Sequence, residues 1–340
     1  MAGDAGDMAR MMGALPQGRK SRCFLFLQGH PSRFWRDLGA ALDAAGQGVR
    51  RINLCLSDRM FWRGQGDSFR GRLADWPDWL AEYTAREGVS DILYYADRHP
   101  YHVAARDLAE AAGMNTWAIE HGYLRPDWLT LEPGGMGAYS SFPRTVEGLA
   151  ALADGAATPE MSPIYSHGFA VEAWNEVTFH LLQVLGRPLY PRFVSDRPVW
   201  PVIDYLSWLP ELARSGGRER AAARVLEKPG AFNLVPLQLE VDYQIRASSR
   251  FDGLLPFLDE VIGSFAAHAP ADRRLIVKVH PLDNGLGRWF RRVPALADAH
   301  GVQGRVDVIR GGDLGALLSR SSGAVLVNST VGIHGLRAGV

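Results

Sequence analysis

From residue 23 onward, short apolar runs alternate with stretches of helical period. CFLFLQG (23–29) reads as a buried strand, and FWRDLGAALDAAGQG (34–48) as an amphipathic helix that stops at glycine. VRRINLCL (49–56), DILYYAD (91–97) and NTWAIEHG (115–122) follow as strands, with helices at 76–88 and 101–113 between them. Strands interleaved with helices of this length predict βαβ units and a parallel sheet. The pattern changes over 146–225. Helical periodicity there is broken by Pro188, Pro191, Pro198 and Pro201 and ends in RSGGRERAAAR (214–224), which reads as a polar linker. Alternation resumes with a strand at 231–239, a helix at 250–269 and a strand at 274–280. A helix near 286–300, a strand at 305–311, a short helix at 313–320 and a strand at 323–329 complete it.

The expected fold class is α/β, on a GT-B-like plan of two Rossmann-like parallel-sheet domains facing a cleft. The expected divisions are a flexible tail (1–22), an N-terminal acceptor domain (23–145), a helical bridge (146–225) and a nucleotide-binding domain (226–340). The chain stops at Val340, inside a helix expected to start near Thr330, so the second domain is expected to be truncated.

Composition narrows the function. The 37 basic and 37 acidic residues balance, so bulk charge gives no reason to expect a nucleic-acid partner. The 10 Trp and 10 Tyr supply ring faces that suit sugars, interfaces or a core. Cys23 and Cys55 both fall in expected buried strands, which fits a reducing compartment rather than a disulfide framework. The first 22 residues carry no apolar signal core, and no run reaches the roughly 18 apolar residues that span a bilayer. A cytoplasmic protein, at most peripheral on a membrane face, is expected. The surface considered for membrane contact is the Trp-rich middle, with Trp174, Trp200 and Trp208.

Candidate chemistry gathers where strands end, because α/β sheets bind ligands just beyond the carboxyl ends of their strands. His280-Pro281 closes one strand, where proline stops further pairing and the imidazole can donate to a phosphate or protonate it as it leaves. Asn328-Ser329-Thr330 closes another and leads into a helix, a turn that suits an anion as well as an ordinary cap. Gln238, Glu240, Asp242 and Gln244 alternate with apolar residues and would share one face of a strand. Glu240 and Asp242 could there divide the roles of nucleophile, base and sugar-hydroxyl partner. In the first half, Gln28-Gly29, Asp97-Arg98-His99 and Glu120-His121-Gly122-Tyr123-Leu124-Arg125 end strands, with Glu120 placed as a base and Arg98 and Arg125 as anion partners. Asp58 and its neighbours follow the second strand as part of a rim. No Asp-x-Asp, H-E-x-x-H, G-x-S-x-G or Gly-rich phosphate loop occurs, so no metal and no nucleotide cofactor is expected.

These segments resemble the capsule polysaccharide synthesis and export family of the KpsS, KpsC and LipB kind, and are closer to the KpsS-type branch. FLQG, YYADRHPYH, IEHGYLRPDWLTLEPGG, VPLQLEVDYQI, VKVHPLDNG and VLVNSTVGIHGL carry the likeness, over roughly 23–340. The resemblance implies a β-Kdo transferase. It would use CMP-Kdo as donor substrate, without a cofactor, and a (lyso)phosphatidylglycerol lipid at the inner membrane as acceptor. It would work beside other capsule assembly proteins and a transporter. It further implies that His280, Ser329 and Thr330 contact CMP, that Asp242 is the nucleophile of a retaining reaction, and that Glu120 matches a family acidic residue. A non-catalytic export or assembly factor, and a transferase of another CMP-sugar such as CMP-sialic acid, stand as alternatives.

Overall fold

The computed structural model describes residues 21–123, 128–156, 169–195 and 199–340. The chain divides into two compact units, up to Asp196 and from Arg197. The region 146–225 therefore contributes to both.

The first unit contains β1 (Cys23–Phe26), α1 (Phe34–Ala44), β2 (Gly48–Asn53), α2 (Leu56–Trp62), β3 (Asp67–Ser68) and α3 (Trp76–Glu87). β4 (Asp91–Tyr95), α4 (Pro100–Ala112), β5 (Asn115–His121), β6 (Leu129–Pro133), α5 (Val146–Ala153) and α6 (Phe169–Leu185) follow. Its strands form one sheet in the order β3-β2-β1-β4-β5-β6. All neighbours run parallel except β6, which returns antiparallel along β5. Period-two alternation explains the layers. Phe24 and Phe26 pack with Trp35, Leu38, Leu42 and Trp62 on one face. Leu25 and Leu27 pack with Leu80, Tyr83, Tyr94 and Tyr101 on the other. A central strand apolar on both faces is what a sheet covered by helices requires. Each fully buried Leu or Phe contributes about 1.5–3 kcal/mol.

The second unit contains α7 (Pro201–Glu227), β7 (Phe232–Pro236), α8 (Tyr243–Ala247), α9 (Leu254–His268) and β8 (Arg274–Lys278). It continues with α10 (Trp289–Ala299), β9 (Val306–Ile309), α11 (Leu314–Arg320) and α12 (Val331–Arg337). β7, β8 and β9 form a parallel sheet. The α/β class holds in both units.

Three sequence expectations are corrected here. The strand expected at 231–239 ends at Pro236. Beyond it Asp242 N–H donates to Leu239 O, closing a turn, and Asp242 caps α8. Gln238, Glu240, Asp242 and Gln244 therefore do not share a strand face; aspartate's preference for helix caps overrides the two-residue alternation. The polar stretch 214–224 is no linker but the later half of α7, which runs unbroken through Pro210 and Gly216-Gly217. Ala222, Val225 and Leu226 pack against the β7–β9 sheet and hold it helical. The strand expected at 323–329 reduces to one parallel bridge, Leu234 with Ala324, flanked by two 2.9 Å hydrogen bonds to Leu234.

Candidate functional site

In the second unit, three chain segments end side by side. Gln238 lies two residues beyond the Pro236–Lys278 pair of β7 and β8, level with His280. It also lies four residues beyond the Leu234–Ala324 bridge, level with Asn328. The three polar residues thus form one row across the carboxyl ends of adjacent parallel segments.

Hydrogen bonds tie this row to Asp242. Gln238 Nε2 donates to Asp242 Oδ2 (3.1 Å) and to Asn328 Oδ1 (3.0 Å). Asn328 Nδ2 donates to Gln244 O at 2.8 Å, and Gln244 N–H donates to Asp242 Oδ1 at 2.9 Å. The circuit closes on residue 244. Gln238 is buried, whereas Asp242 and Asn328 are half-buried, so the carboxylate is both oriented and reachable. Ser329 Oγ accepts from Val331 N–H (3.2 Å), and Thr330 stands at the N-cap of α12.

His280 accepts the Leu282 amide proton on Nδ1 at 3.0 Å. With Nδ1 accepting, the proton of the neutral imidazole sits on Nε2, where it can be donated. Its loop is pinned from α7. The buried Glu211 carboxylate pairs with Arg218 and Arg310. Arg310 also donates to the carbonyls of Pro281 (2.9 Å) and Asp283 (2.8 Å). Gly285, with φ +81°, presses so closely on Glu211 that a Cβ would sit 2.5 Å from its carboxylate. The Arg310 guanidinium lies 5.7 Å from the Trp208 ring centre, so Trp208 is half-buried. Trp174 and Trp200 are 71% and 59% exposed.

Glu240 has different partners from the row. It reaches the start of α9, where it accepts from the Leu254 amide, and burial pushes its carboxyl up from the usual range. That is a structural tie between a turn and a helix N-terminus.

In the first unit the expected residues separate. Gln28 is buried, and its amide donates to Cys55 Sγ and Asp58 Oδ2, both at 3.4 Å. Gly29 is set by packing, since a Cβ there would stand 2.4 Å from the Trp35 ring. Asp58 is not at a rim. It is buried, pairs with buried Arg51 at 3.0 Å and accepts the Leu54 amide at 2.8 Å. Cys55 is not in a strand but precedes α2 as its N-cap, and is buried. Arg98 lies 3.7 Å from buried Asp97 and over the Tyr139 ring at 3.9 Å. Arg106 covers the same ring at 4.1 Å, and the two guanidiniums lower the Tyr139 phenol from its usual range. Glu120 and His121, being consecutive in β5, point to opposite faces of the sheet. Arg125 lies outside the described residues.

A residue missed in the sequence reading is His30, whose ring meets those of Tyr95 and His121. The available signal was its dipeptide, His30-Pro31, which repeats His99-Pro100 and His280-Pro281 at strand ends. An open pocket of about 510 Å³ lies along β6, lined by Tyr123, Trp128, Leu131 and Phe142 among others. Among the described residues, no helix is long and apolar enough to cross a membrane.

The carboxyl ends of parallel strands, where this polar row stands, are where α/β folds place small-ligand sites. The family model described as capsule polysaccharide biosynthesis protein matches residues 90–340, and the chain belongs to that family. Membership ties it to capsule polysaccharide biosynthesis. Capsule polysaccharide modification protein LipB of Neisseria meningitidis serogroup A is 30% identical over 329 residues, covering 92% of this chain and 77% of LipB. Capsule polysaccharide export protein KpsS of Escherichia coli is 28% identical over 319 residues, covering 92% of this chain and 82% of KpsS. A glycosyltransferase from Rickettsia africae aligns with 90% of this chain and 73% of its own at 8% identity and TM-score 0.32, a likeness too slight to carry an argument.

Proposed function

We propose that this protein is a glycosyltransferase of capsule assembly that moves Kdo from CMP-Kdo to a (lyso)phosphatidylglycerol-type lipid at the cytoplasmic face of the inner membrane. The observation that carries the reading is the half-buried Asp242 held by the Gln238–Asn328 pair, with His280 just beyond the end of neighbouring β8.

In this reading His280 donates from Nε2 to the CMP phosphate, and Ser329 and Thr330 at the start of α12 hold the same group. The bond from the anomeric carbon to phosphate oxygen breaks, and CMP leaves with the electron pair. Asp242 Oδ forms an ester to that carbon. An acceptor hydroxyl then attacks the same carbon and gives its proton to water, and the Asp242 carboxylate leaves with the electron pair. Two displacements retain configuration. Gln238 holds the carboxylate in its rotamer throughout. The conformation of Asp242 also favours a second reading. Both of its oxygens take part in the circuit, so a binding protein of capsule export or assembly could use Asp242 as a cap alone.

The test is turnover of CMP-Kdo, generated in situ, with a fluorescent lyso-phosphatidylglycerol analogue. A Kdo-lipid product supports the transferase. CMP binding without product moves the reading to another acceptor or donor, product only with CMP-sialic acid names that donor, and a lack of CMP binding favours the assembly factor.

A further inference from the structure

The sheet order β3-β2-β1-β4-β5-β6 means that the chain moves from β1 toward one edge and returns through β4 on β1's other side. The carboxyl ends of β1 and β4 therefore flank the topological switch point, where connections diverge and a crevice opens. α1 leaves on the face of Phe24 and Phe26, and α4 on the face of Leu25 and Leu27.

Three rings meet at that crevice. His30 follows β1, Tyr95 ends β4 and His121 ends β5. Ring centres stand 4.7 Å apart for His30 and His121, 5.0 Å for His30 and Tyr95, and 5.9 Å for Tyr95 and His121, all edge to face. All three residues are half-buried. His121 shares its face with Ile119, which packs in the Phe24–Trp35 layer, the side toward which β1 leads. Glu120 points to the opposite face, so β5 presents imidazole and not carboxylate here.

We propose that His30, His121 and Tyr95 form an oxyanion subsite that binds a phosphate group of the acceptor. Imidazole N–H and phenol O–H groups are donors, and a phosphate offers several acceptor oxygens to donors carried at the ends of three adjacent strands. With the rings already in edge-to-face contact, the anion would sit beside them, against their exposed edges. The identity of the phosphate's bearer rests on the transferase reading; the subsite itself rests on the rings and the topology.

The test uses the full chain. Imidazole Hε1 resonances are followed by NMR during addition of glycerol 3-phosphate, with CMP in a parallel titration. Glycerol 3-phosphate should shift the resonances assigned to His30 and His121. His30→Gln and His121→Gln should each raise its Kd about tenfold, the loss of one charge-assisted hydrogen bond, with the Kd for CMP unchanged. Tighter binding of lyso-phosphatidylglycerol than of inorganic phosphate would assign a lipid headgroup, and equal binding a free phosphate. Wild-type resonances that do not move overturn the proposal without recourse to any variant. So does an unchanged Kd in both variants, or zinc binding at these histidines with no phosphate effect. His-dependent phosphate binding in a protein that transfers no sugar would keep the subsite and remove the transferase.

Discussion

Asp242 has a structural role and a proposed chemical one, and Asp242→Asn separates them. The donor sense of the circuit is fixed. Asn328 gives its N–H to Gln244 O, so its oxygen accepts from Gln238, whose second N–H needs an acceptor at residue 242. Asparagine keeps the cap, because its oxygen can still accept the Gln244 amide. Its amide nitrogen would meet the Gln238 nitrogen, donor against donor. That loss costs about 1 kcal/mol. Alanine loses the cap as well, for about 2 kcal/mol in all. Melting midpoints of the second unit should fall by about 2–4 °C per kcal/mol. Activity should respond on another scale. Loss of a covalent nucleophile should lower kcat by roughly 1,000-fold or more, about 4 kcal/mol of barrier. The assay is initial-rate transfer beside a thermal melt for wild type, Asp242→Asn and Asp242→Ala. An asparagine variant that melts near wild type and keeps more than about a tenth of its rate would refute the nucleophile.

Three other outcomes follow from the same contacts. His280→Ala should weaken CMP binding about tenfold by calorimetry, and Arg310→Met should weaken it less. Because Arg310 acts through the His280 loop, the double variant should bind no worse than His280→Ala alone. His99 is buried against Tyr101 and Phe193, and burial lowers its pKa to about 4. The unfolded chain protonates first, so its stability contribution is complete above about 6.5 and is lost as pH falls toward 4. The loss amounts to about 3 kcal/mol; urea melts between pH 7.5 and 4.5 should show it, and His99→Phe should flatten the slope. Asp58→Ala strands the buried Arg51 charge and should cost about 3–5 kcal/mol in urea unfolding.

Much of the fold could be read from the pattern because the strands of the first unit are apolar on both faces and their helices have clear period. What escaped did so for local reasons. LTLEP (129–133) is a short half-buried edge strand with little apolar signal. LQLEVDYQI alternates like a strand, yet Pro236 and the capping Asp242 turn it. Gly216-Gly217 looked like a break, but α7 is held by ion pairs and by packing that only the fold supplies. At the site, Gln238, His280 and Asn328 were visible as polar residues near strand ends, and their common level came only from register. Glu240 and Gly29 looked alike in kind but answer to a helix start and a tryptophan ring. His30 carried only its His-Pro dipeptide as a signal, and its ring neighbours emerged only once β1, β4 and β5 lay side by side.

The most direct measurement is intact-mass and peptide mapping of the full chain mixed with CMP-Kdo in the absence of acceptor. The account predicts one Kdo residue esterified to the peptide carrying Asp242, released when acceptor is added and absent from Asp242→Asn. Transfer to acceptor with the adduct on another residue, or undiminished by Asp242→Asn, would contradict it.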